Sequence, residues 1–87
     1  MNWTLSIKSN AEKALARFPR KDYLAIYEAI HKIGIDPFTS GSEKMTGQDS
    51  YKLRVGNYRI EFALYKEANF IDIYNIERRT STTYRKR

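Results

Sequence analysis

A chain of 87 residues is enough for one domain with a small, contiguous core. Its 41% hydrophobic and 14% aromatic content predicts a globular rather than a disordered chain, and the absence of cysteine excludes disulfides, zinc–thiolate sites and thiol nucleophiles. The net charge of +6 and pI near 9.7 make a polyanion a natural partner, although basic residues also keep a small protein soluble.

The start, MNWTLSIKSN, lacks a signal-peptide layout, and no apolar run is long enough to span a bilayer. Both points predict a cytoplasmic protein with no membrane partner. Residues 3–8 alternate, with Trp3, Leu5 and Ile7 on one face and Thr4, Ser6 and Lys8 on the other, which predicts a half-buried strand. Ser9 stands three residues before Glu12, the spacing of a capping box, and Ala11, Ala14, Leu15 and Phe18 then form one helical face. Pro19 ends that helix, because its ring disfavours helical geometry in the residue before it. A second helix is expected over 21–33, with Tyr23, Ile26, Tyr27, Ile30 and Ile33 as its apolar stripe and Gly34 as its stop. Residues 35–49 hold Pro37, Gly41 and Gly47 and read as the one long loop.

Three strands are predicted to follow, over 51–55, 58–65 and 70–76, with a two-residue hairpin at Gly56-Asn57 and a turn over 66–69. The order β-α-α-β-β-β implies an α+β fold, a single domain over 1–87 in which an antiparallel sheet packs on a helical hairpin.

Strand register then becomes a geometric test. With Gly56-Asn57 as the turn, Val55 faces Tyr58, Arg54 faces Arg59, Leu53 faces Ile60 and Lys52 faces Glu61. Alternation across the pleat gathers Tyr51, Leu53, Val55, Tyr58, Ile60, Phe62 and Leu64 on a core face, and Lys52, Arg54, Arg59 and Glu61 on an open face. Like charges opposite one another cost some tenths of a kcal/mol, so Arg54 opposite Arg59 serves nothing in folding, and an anion between them would relieve the repulsion. In the next hairpin Tyr65 pairs with Phe70 and Phe62 with Ile73. Strict alternation puts Ile71 and Ile73 on the core face and Asp72, Tyr74 and Ile76 on the open face, with Ile76 beside Arg59. Arg78 follows with the same parity. Lys52, Arg54, Arg59 and Arg78 are thus expected to converge on one patch, and the tail beyond it holds Arg79, Tyr84, Arg85, Lys86 and Arg87. Residues 1–50 carry seven Lys/Arg against six Asp/Glu and residues 51–87 nine against four, so +5 of the +6 lies in the segment that builds this patch. The same charges also fit an ordinary solvated sheet face. Tyr74 suits either stacking on a base or covering the sheet.

The stretch YKLRVGNYRIEFAL, the third strand and IERRTSTTYRKR together resemble the RelE/ParE toxins of bacterial toxin–antitoxin pairs, and the order of elements matches over nearly the whole chain. The resemblance implies a metal-independent endoribonuclease that cuts mRNA on the translating ribosome and uses no cofactor. It also implies a cognate antitoxin that neutralises the toxin and supplies the contact with operator DNA. Carried over residue by residue, Lys52 and Arg54 are the basic residues of the first hairpin strand and Arg59 the arginine of the second. Arg78 is the arginine after the last strand, with Arg79 able to substitute for it, and Tyr84 is the terminal tyrosine. Arg79, Tyr74, Arg85, Lys86 and Arg87 are candidate RNA contacts. Little chain follows Tyr84, so the closing helix of some relatives is shortened or missing.

Cleavage by the 2′-hydroxyl, giving a 2′,3′-cyclic phosphate, needs a base for the 2′ proton, cations for the phosphorane and an acid for the leaving 5′ oxygen. His31 is the only histidine and falls in the second helix, away from the patch, so a histidine pair is excluded and a histidine–carboxylate metal site is unsupported. Arg54, Arg59 and Arg78 suit phosphate through their planar donor forks. Tyr84 is a candidate base or stacking platform, and Lys52 a candidate acid or electrostatic partner. The alternatives are a ParE-like inhibitor of DNA gyrase without nuclease activity, a plain RNA-binding module, and an inactive relative kept for antitoxin binding.

Overall fold

The computed structural model describes residues 3–38, 41–45 and 49–78. Chain order is β1 (Thr4–Ile7), α1 (Ser9–Ala16), α2 (Arg20–Ile35), β2 (Glu43–Lys44), β3 (Ser50–Val55), β4 (Tyr58–Tyr65), a short 3-10 turn at Lys66–Ala68, and β5 (Phe70–Arg78). The expected order of elements stands, and a two-residue strand, β2, is added inside the 35–49 loop.

The sheet runs β1-β5-β4-β3-β2. Strands β2 to β5 are antiparallel, and β1 lies parallel to β5, with Leu5 opposite Ile71 and Ile7 opposite Ile73. A parallel neighbour needs a crossover, and α1 and α2 sit within it on one face of the sheet. Leu53, Tyr58, Ile60, Phe62, Leu64, Ile71, Ile73 and Ile76 supply the sheet side of the core; Ala11, Leu15, Ile26, Ile30 and Ile33 supply the helical side. Tyr51 stacks on its cross-strand partner Phe62 at 5.7 Å.

Several local boundaries differ from the sequence reading: β5 runs to Arg78 rather than Ile76, α2 and β3 each begin one residue earlier, and two helix ends differ in kind. The first is the start of α1, where Lys8 and not Ser9 is the capping residue, and no side chain caps the helix. The Lys8 amide donates to the Ile73 carbonyl and its own carbonyl accepts from Glu12, so β5 holds Lys8 extended and the helix begins directly after it. The second is Gly34, which lies inside α2, and the helix runs on to Ile35. A Cβ on Gly34 would stand 3.5 Å from Leu5 Cδ1, an ordinary contact between α2 and β1. The stop is Asp36, extended at φ −155°, as the residue before Pro37 must be.

The two hairpins keep their expected turns. Gly56 takes φ 60° at the first position of the tight turn, where a type II′ hairpin places glycine. Asn69 is left-handed at φ 52° and closes the 66–69 connection, with Tyr65 opposite Phe70.

Candidate functional site

The face of the sheet turned away from the helices is built from the second residue type in each alternation. On β3 it carries Lys52 and Arg54, and on β4 Arg59 and Glu61. The register places Lys52 opposite Glu61 and Arg54 opposite Arg59, as expected from the turn. Strand β2 adds Glu43, directly opposite Lys52 on its other side.

The last strand departs from strict alternation. Phe62 pairs with Ile73 and Glu61 with Asn75, so Tyr74 is an extra residue, a β-bulge. Beyond it the parity is reversed. Ile76 faces Ile60 and is 2% exposed, Glu77 faces Arg59, and Arg78 faces Tyr58. The expected place of Ile76 beside Arg59 is therefore corrected, and so is the expected convergence of Arg78 with Lys52, Arg54 and Arg59. The physical reason is burial: an unbroken strand would hold Ile76 in solvent, whereas one extra residue returns it to the core and is worth about 2 kcal/mol of transfer free energy.

Arg59 is the centre of the open face. Its Nη2 donates to a carboxylate oxygen of Glu77, and its Nε lies 3.2 Å from Glu61 Oε2. That Nε is buried, and the ion pair is not aligned as a hydrogen bond, so the donor is left without an acceptor. Asn75 Nδ2 donates to Glu61 at 3.2 Å and to Glu77 at 3.4 Å and ties the two carboxylates together. The bond from Arg59 holds the Glu77 carboxyl below the usual glutamate range, and Glu77 in turn holds the Arg59 guanidinium above its ordinary value.

Lys52 is half-buried between Glu43 and Glu61 in register, and Arg54 is exposed at the turn end of the hairpin. Neither makes an ion pair among the described residues. At the other end of the face Asp72, 8% exposed, is paired with Lys8 at 3.1 Å. Apart from that pair, the described open face sets three cations (Lys52, Arg54, Arg59) against three carboxylates (Glu43, Glu61, Glu77), a balance of zero. The bulge accounts for much of this, since it exchanges Arg78 for Glu77.

Tyr74 is half-buried, its hydroxyl 3.9 Å from Met45 Sδ and its carbonyl accepting from Asn10 Nδ2 at 3.0 Å. Arg78 sits on the helix side, in a cleft with Asp22, Ala25, Val55, Asn57 and Tyr58. In that cleft the buried Tyr58 donates to Asp22 Oδ2 at 2.6 Å, which raises the phenol above its ordinary value. His31 is exposed on α2, beside Leu5, Ile7 and Tyr27, and belongs to the helix layer. Arg79, Tyr84, Arg85, Lys86 and Arg87 lie outside the described residues.

Sequence reasoning missed Glu77, Asn75, Glu43 and Asp22. One signal was present: Ile73 and Ile76 stand three apart, and no unbroken strand buries both. Nothing in the sequence signalled the pairing of Glu43 with Lys52, which depends on a two-residue strand.

Among the described residues no three of His, Cys, Asp and Glu gather as a metal site, and no helix is long and apolar enough to cross a membrane. The chemistry this face offers is anion recognition by Arg59, Arg54 and Lys52, with carboxylate and amide acceptors and donors beside them.

No protein-family model matches the chain, and no curated protein matches it in sequence. Solved structures do match in fold. The isolated RelE toxin of E. coli superposes with a TM-score of 0.80 at 14% identity, over 94% of this chain and 90% of that one. A chain of the toxin–antitoxin complex RelBE2 from Mycobacterium tuberculosis gives 0.79 at 17% identity, over 91% and 100%. A chain of the archaeal RelE–RelB complex from Pyrococcus horikoshii gives 0.78 at 23% identity, over 93% and 99%. The β-α-α-β-β-β architecture is thus that of the RelE-like fold.

Proposed function

We propose that this chain is the toxin of a type II toxin–antitoxin pair and a RelE-like endoribonuclease, which cuts mRNA on the translating ribosome in the cytoplasm. The observation that carries this reading is the likeness to an isolated RelE toxin over 94% of the chain, joined to a row of Lys52, Arg54 and Arg59 on the sheet face that α1 and α2 do not cover. A fold by itself does not fix an activity. The positions of these three cations on that fold are what favour the nuclease.

In this reading Arg59 and Arg54 flank the scissile phosphate and offer it their planar donor forks. Lys52 offsets charge on the phosphorane or donates to the leaving 5′ oxygen. Tyr84, in the tail, takes the 2′ proton or stacks on a base. With Arg78 turned to the helix side, weight moves to Arg79 as the arginine after the last strand. Arg85, Lys86 and Arg87, with Arg79, carry four positive charges, which supply the excess that the balanced open face lacks. Unperturbed Tyr, Lys and Arg are poor proton-transfer groups at neutral pH. Dependence on the ribosome to orient the substrate follows from that weakness. The natural partner is a cognate antitoxin, which would also carry the pair's contact with operator DNA.

The test is reconstituted cleavage. The purified chain is added to ribosomes programmed with a defined mRNA, with and without a chelator selective for transition metals over the Mg2+ that ribosomes need. A cut inside the reading frame with a 2′,3′-cyclic phosphate end, insensitive to the chelator and lost in Arg59→Ala, is the expected result. Intact mRNA with active ribosomes overturns the reading.

A second reading has its own observation. Tyr23, Leu24 and Tyr27 are exposed on α2, with the two tyrosine rings stacked 6.1 Å apart. Such a helix face suits a protein target and favours the ParE-like alternative, a DNA gyrase inhibitor. Inhibition of supercoiling by the purified chain, lost in Tyr23→Ala/Tyr27→Ala, is its signature.

A further inference from the structure

Arg59 cannot offer its full donor fork to a phosphate while two carboxylates hold it. Nη2 is bonded to Glu77, Nε faces Glu61, and the three side chains together carry a charge of −1 (one guanidinium, two carboxylates). An incoming phosphate meets a site that is locally negative and already occupied.

The two carboxylates are unequal. The Glu61 side chain is 14% exposed and accepts from Asn75 at 3.2 Å, so the sheet fixes it. The Glu77 side chain is 42% exposed and stands on the last described turn of β5, one residue from its end. Glu77 is the half of the clamp that is free to leave. Its departure would release Nη2 toward solvent, leave Nε facing Glu61, itself held by Asn75, and change the local charge from −1 to 0.

We infer that Glu77 gates the Arg59 subsite: its carboxylate occupies the guanidinium edge that a phosphate needs, so binding proceeds by exchange of carboxylate for phosphate. This deepens the nuclease reading and rests on it only for the identity of the phosphate as RNA. The gate acts as a charge filter. A weakly held anion does not displace Glu77, whereas a phosphate presented with neighbouring contacts to Arg54 and Lys52 does. Bound phosphate then leaves Glu77 facing solvent beside the site.

Two probes separate the gate from the RNA reading. Inorganic pyrophosphate is titrated by isothermal calorimetry, and a short 2′-O-methyl RNA, which cannot be cut, is titrated by fluorescence anisotropy. Both are run on wild type, Glu77→Gln, Glu67→Gln as a control for bulk charge, and Arg59→Ala/Glu77→Gln against Arg59→Ala. Glu77→Gln is expected to tighten pyrophosphate about three- to fivefold, the scale of a partly exposed ion pair. Glu67→Gln should leave it unchanged, and the gain should vanish without Arg59. No tightening in Glu77→Gln, no pyrophosphate binding by any variant, or an equal gain in the Arg59→Ala background overturns the gate. A pyrophosphate gain with no free RNA bound by any variant supports the gate at the level of the anion alone. Wild-type RNA binding with no pyrophosphate gain overturns the gate and leaves RNA as the ligand.

Discussion

Glu77 faces Arg59 across β4 and β5, in the position that unbroken alternation assigns to Ile76. One extra residue, Tyr74, makes the difference. It buries an isoleucine, turns Arg78 to the helix side and brings a carboxylate onto the centre of the candidate site.

Burial of Ile76 sets the first prediction. Ile76→Ala should destabilise the protein by about 2–4 kcal/mol, the cost of emptying a core position. An isoleucine on an open sheet face would cost under about 0.5 kcal/mol. Urea denaturation of both proteins distinguishes the two values.

Gly34 gives a prediction of the opposite sign. It is helical, and an added Cβ meets Leu5 Cδ1 at 3.5 Å, an ordinary contact. Gly34→Ala should therefore stabilise by about 0.4–1 kcal/mol through the unfolded chain. A lower urea midpoint than wild type would mean that the approach of α2 to β1 is tighter than this spacing.

The bond from Tyr58 to Asp22 predicts an alkaline limit. The phenol is raised in the folded state, first by that hydrogen bond and then by burial. A raised value means the folded protein holds the proton more tightly, so the contribution is complete below the ordinary tyrosine value and lost as pH climbs through the raised one. Thermal midpoints of wild type should fall above about pH 10 more steeply than those of Tyr58→Phe. Parallel curves would contradict the bond.

The clamp predicts an acid limit by the same linkage. Arg59 holds the Glu77 carboxyl low, so its contribution is present above the ordinary glutamate value and disappears as pH falls through the lowered one. Both side chains are partly exposed, so the amount is within about 1 kcal/mol, and it should be absent in Glu77→Gln. Urea midpoints measured at pH 6 and at about pH 3 for the two proteins test this.

The two arginines of the doublet are separable by mutation. Arg78 opposes Tyr58 on the helix side, so Arg78→Ala should leave RNA cleavage within about threefold of wild type while Arg79→Ala lowers it by about tenfold or more. A loss confined to Arg78→Ala would return the role to Arg78.

Much of the fold was legible because its signals are local. The Gly56-Asn57 turn fixed the β3–β4 register, and with it the facing of Arg54 and Arg59 and of Lys52 and Glu61. The four-residue turn did the same for Tyr65 and Phe70. What escaped depends on a count carried along a strand: one inserted residue reverses every side chain beyond it. The hydrophobic pattern held the clue in the odd spacing of Ile73 and Ile76. Lys8 as the cap of α1, and β2 with its Glu43, are set by contacts with β5 and β3 and have no local signature.

The proposed cleavage of translated mRNA at the face centred on Arg59 can be tested in cells. Wild type and Arg59→Ala are induced separately in bacteria, the variant is checked for folding by circular dichroism, and mRNA 5′ ends are mapped by primer extension. New ends within translated regions are expected for wild type and none for the folded variant. Growth arrest with no new RNA ends would contradict the proposal and turn the search to gyrase.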